Sequence, residues 1–276
     1  MAASSSYQRP DTLDEALAIL AEGDWQVAAG CTDILPATQR KVLDGPIVDI
    51  TAIDELRGIT RTDDGLRIGA TTTWTDIIKA DLPPAFDGLK LAAREVGATQ
   101  IQNRGTLAGN LCNASPAADG VPPLLTLDAM VEVSAADHME QVPLAAFLTG
   151  PRQTALRQGE MVSAIQIPTA AMSGQGHFLK LGARRYLVIS VAMTAARIVA
   201  VDGVVTEAAL AVGSCGPVAT RLPEVEAALI GRPLDVDQIT DAAVGAALKP
   251  IDDIRASGAY RTNSAAELLR RTVEAV

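Results

Sequence analysis

The chain has 276 residues, 48 % hydrophobic and 20 % charged, with a net charge of −10 and a pI of about 4.7; this allows one large domain or two to three smaller ones around a real core, and argues against nucleic acid, whose phosphates require clustered Lys and Arg. Three cysteines, Cys31, Cys112 and Cys215, form no C-x-x-C pair, which speaks against a disulfide framework, a zinc ribbon or an iron–sulfur cluster, and two histidines leave little for a metal site. No run of 18 apolar residues is present and the start, MAASSSYQRP, lacks an apolar export core, so the expectation is no membrane span and a cytoplasmic location.

Residues 1–9 read as a frayed lead. Thr12 and Glu15 form a capping box, Leu13, Ala16, Leu17 and Leu20 follow at helical spacing, and Gly23 ends the helix. A strand at 25–29 runs into Gly30-Cys31-Thr32-Asp33, then an apolar step at 34–36 and a second strand at 47–50. Residues 58–61 and 66–71 predict a hairpin about Asp64-Gly65. A short helix begins at 75–79, Pro83-Pro84 breaks it, and another covers 86–96. Residues 98–119, ATQIQNRGTLAGNLCNASPAAD, carry no charge between Arg104 and Asp119. This stretch is too rich in Gly and Asn for a stable helix, and its exposed backbone suits contact with phosphate and a heterocycle.

Beyond it, 121–127 reads as helix or tight turn, 129–134 and 161–167 as strands, and 143–148 as a short helix. The small residues 169–176 mark a boundary. A strand at 176–181 and a hairpin, 188–201 and 204–212 about Asp202-Gly203, precede helices at 222–229, 237–247 and 264–275, giving an α+β unit.

Gly30 to Asp33 and Arg104 to Asn110 each offer backbone N–H groups and a Thr hydroxyl, either for a pyrophosphate or as ordinary turns. The Rossmann fingerprint and the Walker loop are both absent, so a split dinucleotide site is the reading the pair supports. Asp119 suits ribose hydroxyls or a ring edge, or alternatively a helix N-cap. Lys180, in a predicted strand, faces either solvent or a cleft, where a cation stabilises a reduced flavin. Cys31 reads as a small residue filling a turn rather than a flavin linkage or redox thiol.

Ala29-Gly30-Cys31-Thr32-Asp33-Ile34-Leu35-Pro36 and residues 101–119 resemble the FAD-binding medium subunit of molybdenum hydroxylases, the xanthine dehydrogenase and carbon monoxide dehydrogenase family. Its members carry a motif like A-G-G-T-D-L-L-P and a second like I-R-N-x-G-T-x-G-G-N-x-x-x-A-S-P-x-x-D. Asp253-Ile254-Arg255-Ala256-Ser257-Gly258-Ala259-Tyr260-Arg261 and Leu268-Leu269-Arg270-Arg271 match the family's D-x-R-x-S-x-x-Y-R…L-x-R-R. Cys31, Ala108 and Gln102 depart from it, two replacing Gly and one Arg.

The resemblance implies an α+β fold: a vanillyl-alcohol-oxidase-like, PCMH-type FAD-binding fold of two α/β subdomains (1–54 and 55–172), and a C-terminal domain (173–276) with a three-stranded antiparallel sheet and a helix bundle. It implies that Ala28, Ala29, Gly30, Cys31, Thr32, Asp33 and Ile34 lie on the FAD pyrophosphate with Thr106, Gly109 and Asn110. Ile101 belongs to the same site, Asn113 and Asp119 lie near the ribityl or adenosine part, and Lys180 near the isoalloxazine. The implied partners are a molybdopterin-containing large subunit and a [2Fe–2S] small subunit, in a dimer of heterotrimers. The electrons would leave through FAD to NAD, oxygen or a quinone. A self-contained FAD oxidase and a flavin-free structural subunit are the alternatives.

Overall fold

The computed structural model describes residues 7–38, 43, 45–185 and 187–276. Three main sheets organise them, and each owes its helices to one apolar cluster. In the first sheet, strands Gln26–Ala28 and Tyr7–Gln8 flank Ile47–Asp49, both parallel to it. Tyr7 and Gln8 therefore pair with Ile47 and Val48 rather than fraying. Thr12 caps the helix Leu13–Ala21 through the Glu15 N–H, but the expected capping box is not closed: the Glu15 carboxylate accepts from the Asp11 N–H rather than the Thr12 N–H. Its buried face, Ala16, Leu17 and Leu20, packs on Val48, Ile50 and Ile53.

The second sheet is antiparallel, in the order Ile59–Thr62, Gly65–Gly69, Met161–Pro168, Met130–Ser134, Met139–Pro143. Thr62 pairs with Gly65, so the hairpin turns at Asp63-Asp64, one residue before the expected Asp64-Gly65. Gly65 serves a different need: a Cβ there would lie 2.0 Å from the Ile167 carbonyl oxygen on the adjoining strand. One face buries Leu66, Ile68, Val131, Val133 and Ile165 against Trp74, Ile77, Phe86, Leu89, Leu107 and Leu111. Glu132 is buried and satisfied by Arg67 Nη2 (2.9 Å), Ser163 Oγ (2.8 Å) and Gln166 Nε2 (2.8 Å).

The third sheet has four strands rather than the expected three: Gln175–Leu181, Ala192–Val201, Val204–Gly213 and a short edge, Thr220–Arg221. Asp202 and Gly203 both have positive φ (51° and 79°), the form a two-residue turn takes when it follows the strand twist. Helices Pro223–Leu229, Asp241–Ala247 and Gly258–Glu274 cover one face through Leu229, Val244, Ala266 and Leu269. The last begins at the Ser257 cap, earlier than the expected 264, and the middle one begins after Thr240 rather than at 237. The other face meets helix Asp87–Glu95, with Phe178, Met193 and Ala195 on Ala92. Two glycines permit that approach: a Cβ on Gly176 would lie 2.3 Å from the Ala85 carbonyl oxygen, and one on Gly88 2.9 Å from that of His177.

Candidate functional site

Between the three sheets lies a cleft of about 880 Å³, a volume in the range that takes cofactor-sized ligands. Its wall joins the loop that follows strand Gln26–Ala28, most of residues 105–119, and Lys180 of the third sheet. Ala29, Gly30, Cys31, Thr32, Asp33, Ile34, Ile101, Thr106, Gly109, Asn110, Asn113, Asp119 and Lys180 all line it. Ala28 does not. It is buried at the end of its strand, with its carbonyl accepting from the Ile50 N–H at 3.0 Å, so sheet pairing uses its backbone.

The first loop leans directly on the second. A Cβ at Gly30 would lie 2.0 Å from the Arg104 carbonyl oxygen and 3.0 Å from the Gly105 Cα. Cys31 sits at φ 57°, a left-handed conformation that Gly adopts without strain and an L-residue does not. Its thiol contacts the Ala29 carbonyl at 3.5 Å, and burial raises its pKa, so it fills the turn as a neutral group. The N–H groups of Thr32, Asp33 and Ile34 have no acceptor among the described residues.

The second loop contradicts the expectation of a non-helical stretch. Thr99–Gln102 is one turn of helix and Leu107–Asn113 is a second, longer helix. Tertiary packing overrides the poor propensity of its Gly and Asn: Leu107, Ala108 and Leu111 are buried, and Thr106 Oγ1 accepts from the Gly109 N–H at 3.1 Å. The Trp74 N–H to Gly105 carbonyl and Leu107 N–H to Thr72 carbonyl bonds fix the loop beside the second sheet's helices. The Thr106 and Ala108 N–H groups have no acceptor among the described residues, and Asn110 Oδ1 is buried without a partner. Ala108, where the related motif has Gly, packs inward.

Asp119 and Lys180 form a buried ion pair at 2.7 Å, with side chains 9 % and 6 % exposed. The solvent-facing alternative for Lys180 is thus overturned: its strand runs over the cleft, and Asp119 compensates its charge. Ser190 Oγ donates to the other Asp119 oxygen at 2.9 Å. The N-cap alternative for Asp119 also fails, since helix Val121–Thr126 is capped at Gly120 without a side-chain bond. Burial raises the Asp119 pKa, against the opposing pull of the Lys180 charge and the two hydrogen bonds. Asp119→Asn is expected to cost about 3–5 kcal/mol by leaving Lys180 buried and unpaired, and Lys180→Met a similar amount. The double variant is expected to cost less than their sum, measured by denaturant unfolding in a double-mutant cycle.

The sequence reading missed Trp74, Cys112 and Arg152 in this wall. Trp74 is buried between glycines: Gly105 and Gly120 would bring a Cβ within 3.2 and 2.6 Å of its ring. The Thr73–Asp76 capping box ahead of it was the available signal. Cys112 is exposed on the open cleft. Arg152 stands on a small hairpin, Leu148–Gly150 with Gln153–Thr154, that no sequence pattern marked.

Comparison with known proteins accords with this geometry. Residues 3–170 match the FAD binding domain in molybdopterin dehydrogenase, and residues 177–276 match the CO dehydrogenase flavoprotein C-terminal domain. A xanthine dehydrogenase FAD-binding subunit of Escherichia coli O157:H7 is 33 % identical over 241 residues, covering 85 % of this chain and 82 % of that one. The glyceraldehyde dehydrogenase medium chain of Sulfolobus acidocaldarius is 32 % identical over 261 residues, 93 % and 92 % of the two chains. A chain of carbon monoxide dehydrogenase from Hydrogenophaga pseudoflava superposes with a TM-score of 0.91 at 27 % identity, covering 100 % of this chain and 98 % of that one.

The chain therefore belongs to the FAD-binding subunit family of xanthine and carbon monoxide dehydrogenase-type molybdenum hydroxylases, and its cofactor is FAD. The wall fits that group: amides without acceptors in both loops, a buried amide oxygen awaiting a partner, and a Gly109 whose missing Cβ would meet only Thr106 within 4 Å. No helix among the described residues is long and apolar enough to cross a membrane.

Proposed function

We propose that this chain is the electron-transfer subunit of a heteromeric molybdenum hydroxylase. Its partners are a molybdopterin-containing large subunit and a [2Fe–2S] small subunit, in a cytoplasmic dimer of heterotrimers. The observation carrying the reading is the joining of two amide-bearing loops across one cleft. When bound, FAD accepts electrons and passes them on, which suits a junction between one-electron clusters and an external acceptor.

The chain's own part is to bind, orient and shield. The amides of Thr32, Asp33, Ile34, Thr106 and Ala108 receive phosphate oxygens, with Ala29, Gly30, Cys31 and Gly109 keeping the backbone near and Asn110 adding its amide. Ile101 contributes apolar wall. Asn113 and Asp119 serve the ribityl or adenosine part, and Lys180 sets the charge near the ring. The PCMH-type division falls at 1–54, 55–172 and 173–276, close to the boundary between the two family matches.

Gly109→Val tests the loop assignment. A Cβ there would lie 2.7 Å from Thr106 Oγ1, the oxygen that caps Gly109, and the rest of the branched side chain would enter the cleft. Loss of the cap costs about 1 kcal/mol, and the variant is expected to take up no FAD by visible absorbance. Normal flavin content would refute the assignment. For the function itself, the isolated chain should bind one FAD, and the chain drawn from its native cells should co-purify with molybdenum- and iron-containing subunits. Reduced clusters of that complex should bleach the flavin absorbance, and failure to do so would refute the electron-transfer role.

A further inference from the structure

Among the described residues, the cleft wall holds two cations, Lys180 and Arg152, and three carboxylates, Asp33, Asp119 and Glu160. The carboxylates are taken: Asp119 by Lys180 at 2.7 Å, Glu160 by the Arg157 Nε at 2.5 Å, and Asp33 by the Asn113 Nδ2 at 2.9 Å. Arg152 alone has no carboxylate partner among the described residues. The Asn113 side-chain amide stands between it and Asp33, donating to Asp33 and accepting from Arg152 Nη1. Nη1 also donates to the Asn113 carbonyl at 3.2 Å. One nitrogen of the guanidinium thus makes both of its bonds. Among the described residues Nε and Nη2 have no acceptor, which leaves their donors on the same planar fork, the geometry that grips a phosphate.

The backbone supports a role for this side chain. Arg152 holds φ 60°, a left-handed conformation that Gly would take without strain. Its N–H donates at 2.8 Å to the carbonyl of Ala114, itself at φ 45° and the C-cap of helix Leu107–Asn113. A charged residue is therefore held by backbone and side chain alike at the end of the helix whose start carries the Thr106 amide loop.

We infer that Arg152 is the cation that binds and neutralises the diphosphate of FAD in this cleft. The inference rests on the reading of the cleft as the FAD site. The loops supply neutral N–H donors, Lys180 is already compensated, and Arg104, whose charge reaches Cys31, does not line the cleft, so among the described wall residues Arg152 is the cation left to meet a dianionic diphosphate. Asn113 keeps Arg152 aimed without letting Asp33 discharge it.

The test titrates FAD, and separately riboflavin, into the apoprotein of the full chain and follows flavin fluorescence at low and high salt. Arg152→Gln is expected to weaken FAD binding about tenfold, the scale of one charge-assisted contact. Riboflavin, which has no diphosphate, is expected to bind the variant and the wild type alike. The wild-type FAD affinity should fall with salt more steeply than that of the variant, and Arg152→Lys should recover most of the loss. Unchanged FAD affinity in Arg152→Gln, or equal loss of FAD and riboflavin, overturns the inference while the FAD site stands. Failure of the wild type to bind FAD overturns the reading of the cleft, and the inference with it.

Discussion

Replacing Gly30 with alanine is expected to abolish FAD uptake and to lower the thermal midpoint by several degrees. The added Cβ would lie 2.0 Å from the Arg104 carbonyl oxygen, 2.7 Å from its carbon and 3.0 Å from the Gly105 Cα. These are backbone atoms and cannot rotate away. Arg104 and Gly105 are held on one side by two bonds to the Ile101 carbonyl, and Gly105 on the other by the Trp74 N–H. Relief therefore separates the two loops, and the cleft exists only where they touch. Overpacking of this kind costs about 1–3 kcal/mol. Flavin absorbance and the unfolding midpoint, read on the same preparation, check both effects. Cys31→Ala, whose side chain fills a turn, serves as the control that keeps FAD. A Gly30→Ala protein with normal flavin content would show that loop contact is not what shapes the site.

Arg261→Met is expected to be the most destabilising change in the C-terminal unit, at about 3–5 kcal/mol in denaturant unfolding. Arg261 lies on helix Gly258–Glu274 with 2 % exposure. Its Nη1 donates to the carbonyls of Val191 (2.6 Å) and Ser214 (2.9 Å), and its Nη2 to Asp253 Oδ1 at 2.6 Å. Methionine fills the volume but leaves the Val191 and Ser214 carbonyls without this donor and Asp253 with only its bonds from Arg255 and Ala256. The loss is also pH-dependent. Burial opposes ionisation of Asp253, yet the Arg255 N–H, the Arg261 guanidinium and the Ala256 N–H outweigh it and hold the carboxyl at about 2. A carboxylate depressed in the folded state stabilises above its unfolded pKa of about 3.9, and that contribution disappears as pH falls toward 2. The gap between wild type and Arg261→Met should accordingly narrow as pH falls from about 4 to 2. A gap independent of pH over that window would mean that Asp253 contributes nothing to what Arg261 stabilises.

Local chemistry with one partner a few residues away was legible in the chain. The Thr12 cap, the Asp202-Gly203 turn and the breaks at Pro83-Pro84 follow from spacing alone, because each is closed by neighbours on the same short segment. The long second motif was legible as a candidate cofactor loop through its resemblance, and a run of its residues between Ile101 and Asp119 lines the cleft. The strands Tyr7–Gln8, Met139–Pro143 and Leu148–Gly150 were not legible: the first pairs with the distant Ile47 and Val48, the second is largely exposed and lacks apolar alternation, and the third is only three residues long. With the last of these went Arg152.

The sequence by itself determined the family and the cofactor, and singled out two loops that line one cleft, because those depend on residue identities at fixed spacing. Only the tertiary structure decided why Gly30 is glycine, that residues 107–113 coil into a helix despite their composition, and that Lys180 is buried on Asp119 rather than solvated. Each of these depends on an atom far away in the chain: the Arg104 carbonyl, the core beneath Leu111, and a carboxylate 61 residues upstream. A close approach or a charge pair of that kind has no periodicity, so nothing in the local pattern could announce it.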